Sequence, residues 1–302
     1  MRIVLTHSGS AVPDYTKHCI KQIRHTNPDV QIDLLVKYRF IKDFRRKVRN
    51  VPKCNIYPLE IYHENLLWQE FKELSWYGNW GTPNTVYPSP EGFVQGTSER
   101  LFVLLAYMKH NKFEDVWHFE NDNLIYGQLK HLYPLGDKIT VCHMNPKHIV
   151  MNVVHIPTYK HLHDALSWYV DEMRLGDQAL KDKYVLDMTH EMTVMRHYPN
   201  FNFFPSIPKL DKKIHGYYFD PASYGQHIAG TNNGHPEGFL DTVNHDIARQ
   251  YGHVWHGLSF DKYEGPKIID TDNVSHKLFN LHMHNKHAIG QFISYERTND
   301  DI

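Results

Sequence analysis

The chain predicts an α/β fold with a mixed, mainly parallel central sheet flanked by helices, and three observations carry that reading. Short apolar runs rich in β-branched residues alternate with longer stretches of helical periodicity through the first half of the sequence. The opening run Arg2-Ile3-Val4-Leu5-Thr6-His7 turns through Ser8-Gly9-Ser10 toward a helix with Pro13 in its first turn, a strand-to-helix start. The run Val116-Trp117-His118-Phe119 is dominated by apolar and aromatic side chains, as in a strand covered on both faces, and it stops abruptly at Glu120-Asn121-Asp122.

Global composition sets the limits. A length of 302 residues with 41% hydrophobic content is enough for one domain with an extended core, here taken as residues 1–302. Lys plus Arg number 33 and Asp plus Glu 34, so no basic domain advertises nonspecific nucleic-acid binding. Cys19, Cys54 and Cys142 are odd in number and lack CxxC spacing, which points to a reducing compartment and away from a thiolate metal site. With neither a signal peptide nor a membrane span visible, a cytoplasmic protein is the expectation. Histidine numbers 24, so most imidazoles must be structural and only context selects a functional one.

In order, residues 13–25 read as a helix with Tyr15, Cys19, Ile20 and Ile23 inward, and 31–38 as the second strand. Residues 40–48 form a basic helix expected to face solvent. A third strand follows at 55–60 and a helix at 64–77. Residues 78–92 hold three Gly and three Pro and read as a long loop, a plausible lid over a site. Residues 93–110 return to helix, with Thr97, Glu99 and Arg100 near its start. After the Glu-Asn-Asp element, 138–143 and 149–156 are strands, the second expected beside the 116–119 strand in the sheet. Residues 158–173 and 177–197 are expected helices, the first with Leu162, Leu166, Tyr169 and Met173 as its buried stripe.

Three regions carry chemistry. Glu120 and Asp122 alternate around Asn121, so both carboxylates lean one way at a strand end, where open α/β sheets bind ligands. Such an oxygen pair suits Mg2+ or Mn2+. Residues 217–240 hold many glycines beside amides and hydroxyls, suiting a loop that hugs a polyhydroxylated ligand, with Tyr217 or Tyr224 as a stacking platform. Residues 277–286 read as an apolar strand in which His282 and His284 alternate onto one face, as two metal ligands would, followed by Lys286.

Together these pieces resemble nucleotide-sugar-dependent glycosyltransferases of the GT-A type, within them a bacterial and viral group with unassigned acceptors. The opening strand with Thr6-His7-Ser8, the helix with Thr97 and Arg100, the Glu120-Asn121-Asp122 element in the place of the DxD motif, and the closing Asn280-Leu-His-Met-His-Asn-Lys286 carry the likeness. Glu stands where the family's pattern has its first Asp. The resemblance implies a GT-A, Rossmann-like fold, with residues 1–126 as the nucleotide-binding half and 127–302 as the acceptor half. It also implies a hexosyl- or pentosyltransferase acting on a UDP-sugar, with a glycan, another hydroxylated molecule or a modified base in DNA as acceptor. It places Mn2+ or Mg2+ on Asp122, Glu120 and a C-terminal histidine, with His284 favoured over His282. Thr6, His7, Ser8 and Asn121 would contact the nucleotide, and Arg100 and Lys286 the diphosphate. An inverting reaction needs a carboxylate base, for which Asp220, Glu237 and Asp241 are the candidates; a retaining one needs none. A metal-dependent hydrolase would cluster its acids and histidines in a motif such as HxxEH, which the sequence lacks. A non-catalytic carbohydrate-binding protein would use aromatic platforms without a metal.

Overall fold

The computed structural model describes residues 1–74, 93–145, 148–184, 194–206, 208, 211–229 and 255–296. The expected lid at 78–92, the far half of the glycine-rich region, and residues 185–193 of the helix expected at 177–197 lie outside these residues. No helix among the described residues is long and apolar enough to cross a membrane.

Alternation of strand and helix begins with β1 (Arg2–His7), α1 (Thr16–Thr26), β2 (Gln31–Val36), α2 (Ile41–Lys47) and β3 (Cys54–Pro58). It continues with α3 (Leu66–Glu73), α4 (Phe93–Asn111), β4 (Val116–Phe119) and β5 (Asn123–Ile125). β6 (Ile139–Asn145), β7 (His148–Ile156), α5 (Tyr159–Met173), α6 (Asp177–Lys183) and β8 (Phe201–Phe204) follow. The last described part holds β9 (Tyr217–Tyr218), α7 (Tyr224–Ala229), β10 (Trp255–Asp261), β11 (Gly265–Asp270), β12 (Ser275–Leu278) and β13 (Asn280–His282).

The main sheet has seven strands in the order β3-β2-β1-β4-β7-β6-β8. β3, β2, β1 and β4 are parallel, β7 is antiparallel to β4 and β6, and β8 is parallel to β6. This is the mixed, mainly parallel sheet the sequence predicts, with β7 beside β4 as expected. One consequence positions everything that follows: β1, β4, β6 and β8 all end at the same sheet edge. Side chains on opposite faces of the sheet feed two cores. Leu101, Phe102, Tyr107, Trp68, Phe71 and Tyr169 cover one face from α3, α4 and α5, while Ile20, Ile23 and Phe44 from α1 and α2 meet Trp117 and Phe119 on the other. The stripe of α5 is buried as its 3.6-residue spacing requires.

The closing segment departs from expectation. Rather than one strand over 277–286, Phe279 interrupts it and divides it between two sheets. β12 joins a second sheet of order β10-β11-β12-β9, and β13 leaves it to pair antiparallel with β5. Phe279 is fully buried and stacks on Phe219 at 4.7 Å, so its ring is a pivot seated in the core. A run that alternates in sequence is broken here by one aromatic that the core takes up.

Candidate metal and nucleotide site

β4 ends where its ladder ends. The Glu120 N–H still bonds the Asn152 carbonyl on β7 at 3.0 Å, and the Asn123 N–H then donates to the Glu120 carbonyl at 3.1 Å, closing a turn over Glu120-Asn121-Asp122. The chain re-emerges as β5, where Asn123 pairs with His282 and Leu124 with Leu281. The Met283 N–H donates to the Asp122 carbonyl at 3.0 Å. Backbone register thus delivers the His282 ring to the two acids. Its Nε2 lies 2.9 Å from Glu120 Oε2 and 3.2 Å from Asp122 Oδ1. Ligand-capable atoms of Glu120, Asp122 and His282 all fall within 4.8 Å of one another. Arg100 from α4 pairs with the other Glu120 oxygen. Lys286 pairs with the other Asp122 oxygen and donates to the Met283 carbonyl at 2.6 Å.

Electrostatics follow from this packing. Burial alone would raise both carboxyls, yet the Arg100 and His282 charges hold Glu120 at about 2, and Lys286 and His282 hold Asp122 well below the carboxylate range. Burial would lower His282, and the two carboxylates overcome it and lift the imidazole to about 10. Three basic side chains therefore surround two carboxylates. Two carboxylates and an imidazole form a donor set suited to Mn2+ or Mg2+. His282 Nδ1 is buried and has no hydrogen-bond partner among the described residues.

His284, favoured as a ligand from its position nearest Lys286, is not part of this cluster. β13 ends at His282, so the period-two alternation that would bring His284 to the same face has stopped. Its ring packs edge-on against His282 at 4.7 Å and its nitrogens face Gln226 Nε2 at 2.9 and 3.1 Å. Burial and the neighbouring His282 push it down to about 3, so it stays neutral.

Asp220 is also corrected. As a candidate base it needed an open carboxylate, and it is fully buried with four backbone N–H groups on it. Ser223 and Tyr224 donate to Oδ1, and Gly225 and His282 to Oδ2, each at 2.8 Å. It caps α7 and fastens β13 to it. A Cβ on Gly225 would come within 2.1 Å of the His282 carbonyl, so only glycine permits this approach. The glycine-rich stretch is here a short helix, and Tyr224 is no stacking platform: it is 3% exposed, with its hydroxyl bonded to the Ser206 carbonyl at 2.5 Å. Glu237 and Asp241 lie outside the described residues.

Of the residues expected to contact a nucleotide, Asn121 donates to the Thr6 carbonyl at 2.8 Å and lies 3.3 Å from His7 Nδ1, so β1 and the acidic turn are brought together. His7 Nε2 lies 2.6 Å from the Ala11 carbonyl and its ring packs on Phe44, so its imidazole serves the loop. Ser8 is half-buried beside it. The Arg100 guanidinium, expected at a phosphate, is spent on Glu120. Tyr15 was overlooked: its ring lies 5.4 Å from the Lys286 ammonium, and burial with Asp122 and Glu120 nearby raises its hydroxyl far above the usual range. As one aromatic on an apolar helix face, it carried no sequence signal that set it apart.

No protein-family model and no curated protein matches the sequence. Among solved structures the similar chains include glycosyltransferases. Mouse xyloside xylosyltransferase 1, apo form, matches at 11% identity over 68% of this chain and 84% of that one, with a TM-score of 0.45. The galactosyltransferase LgtC, in complex with donor and acceptor sugar analogues, matches at 13% identity over 80% of this chain and 84% of that one, with a TM-score of 0.43.

Proposed function

We propose that this chain is a glycosyltransferase that moves a sugar from a UDP-sugar to an acceptor hydroxyl, with Glu120, Asp122 and His282 as the holders of Mn2+ or Mg2+. The observation that carries the reading is the cluster of two carboxylates and one imidazole at the C-terminal sheet edge, with Lys286 against it. A bound divalent ion would neutralise the diphosphate as the sugar bond breaks. Lys286 already stands at the acids and would turn its ammonium to a phosphate oxygen, while Arg100 holds Glu120 in place from behind. Tyr15 closes the same side, its ring facing the lysine ammonium. The Thr6-His7-Ser8 turn, joined to Asn121, would border the nucleoside.

Titration calorimetry of UDP with and without Mn2+ tests this: binding only with the ion is expected, ion-independent binding would indicate a non-catalytic module, and no preference for uridine a hydrolase. A screen of UDP-sugars for donor hydrolysis then finds the donor. Within that assay His282→Ala is expected to weaken Mn2+-dependent UDP binding by ~10-fold or more, the scale on which lost metal-site partners cost affinity. His284→Ala should cost less, and equal losses would put both rings on the ion. Since His282 carries a proton below about 10 and must shed it to ligate, Mn2+ binding at neutral pH should release about one proton. Apparent affinity should then rise ~10-fold per pH unit between pH 6 and 8. Calorimetry in two buffers of different ionisation enthalpy counts that proton; a count of zero removes His282 from the ligand set.

A further inference from the structure

A second polar cluster stands at the same sheet edge and belongs to neither the acids nor their cations. His143, near the end of β6, has its Nε2 3.1 Å from Asp211 Oδ2, with side chains 16% and 21% exposed. That same Asp211 oxygen accepts the Ser206 N–H at 2.7 Å, and the Asp211 carbonyl accepts the Tyr218 hydroxyl at 3.1 Å. The His143 ring packs on Phe203 at 5.6 Å. Carboxylate, loop and ring are therefore each held from a second side. A carboxylate facing Nε2 places the proton on that nitrogen and leaves Nδ1 as an acceptor. Among the described residues Nδ1 has no hydrogen-bond partner.

Location gives this dyad a role. β4 and β6 run the same way with β7 between them, so His143 and Glu120 emerge at one edge, roughly 10 Å apart across two strand spacings. The dyad also shares a scaffold with the metal site: Ser206 accepts from Tyr224, the Tyr224 N–H bonds Asp220, and Asp220 holds the His282 N–H. With Asp220 occupied as a cap, no carboxylate among the described residues 217–229 is open to a substrate hydroxyl.

We propose that His143 binds the hydroxyl of the sugar acceptor, its Nδ1 accepting the hydroxyl's hydrogen bond, with Asp211 as the positioning residue that fixes the tautomer. This rests on the glycosyltransferase reading above. The imidazole's part is to hold and orient that hydroxyl; asparagine, which carries its amide oxygen near the place of Nδ1, preserves part of that contact, and leucine preserves none.

The test uses the full chain, the UDP-sugar chosen by the donor screen and a panel of p-nitrophenyl glycosides as acceptors. His143→Leu is expected to lower transfer at least ~10-fold with the loss mainly in acceptor KM, the scale of a substrate hydrogen bond left unmade. His143→Asn should fall between leucine and wild type. Asp211→Ala, which removes the oxygen facing Nε2 and frees the ring proton to move to Nδ1, should approach the leucine variant, and 15N shifts of the His143 ring should report the change of tautomer. UDP affinity with Mn2+ should stay within about twofold in all three, because none touches the donor side. Transfer unchanged in His143→Leu, or a parallel fall in UDP affinity, overturns the assignment. A wild-type chain that binds no UDP with Mn2+ overturns the glycosyltransferase reading first, and the dyad's role with it.

Discussion

Asp220→Ala is expected to cost about 3 to 5 kcal/mol of stability, combining a lost helix cap with buried N–H groups left unmatched. Four backbone donors from two elements converge on this one carboxylate, and alanine gives them nothing to bond. For a chain of 302 residues the melting temperature should fall by roughly 5 to 8 °C, from an unfolding entropy of about 2 cal/mol/K per residue. Asp220→Asn keeps one oxygen and turns an N–H2 toward the remaining donors, so it should lie between. Thermal melts followed by circular dichroism decide the matter: an unchanged melting temperature together with lost turnover would restore Asp220 as a base and discard its structural role.

Asp122→Asn should lower transfer by about 100- to 1,000-fold, the range seen when one electrostatic contact to developing charge is removed. Mn2+-dependent UDP binding should weaken with it. The asparagine has the same shape and keeps an oxygen as acceptor for Lys286, so the melting temperature should move by only a few degrees. Calorimetry, turnover with the screened donor and a melt on one preparation separate the outcomes. Loss of the cooperative transition would make Asp122 part of the structure, and full UDP binding would remove it from the site.

Much of this was legible before any coordinates. The β4 pattern, apolar on both faces and ending in acids, announced a covered strand leading to a polar edge, and the alternation of elements announced the sheet. Glu120 and Asp122 do share one partner, as their spacing required. What failed depended on long-range pairing. Choosing between His282 and His284 turns on where β13 stops, which is set by its register with β5 across more than 150 intervening residues. Asp220 looked like a free acid because its donors include His282, 62 positions away. The Arg100 and Glu120 pairing joins a helix and a strand end whose meeting only the sheet determines.

The distance along the chain between Asp122 and Lys286, 164 positions, has a consequence for synthesis. As the chain leaves the ribosome, β1 through β4 and β6 through β8 can form the main sheet long before β13 exists. During that interval Glu120 and Asp122 stand beside each other without His282 or Lys286, two like charges at the sheet edge. Because such late, distant contacts also slow folding, the last strand acts as a seal of completeness: a chain interrupted before Asn280 has most of the architecture and neither the imidazole nor the ammonium that meet the two acids.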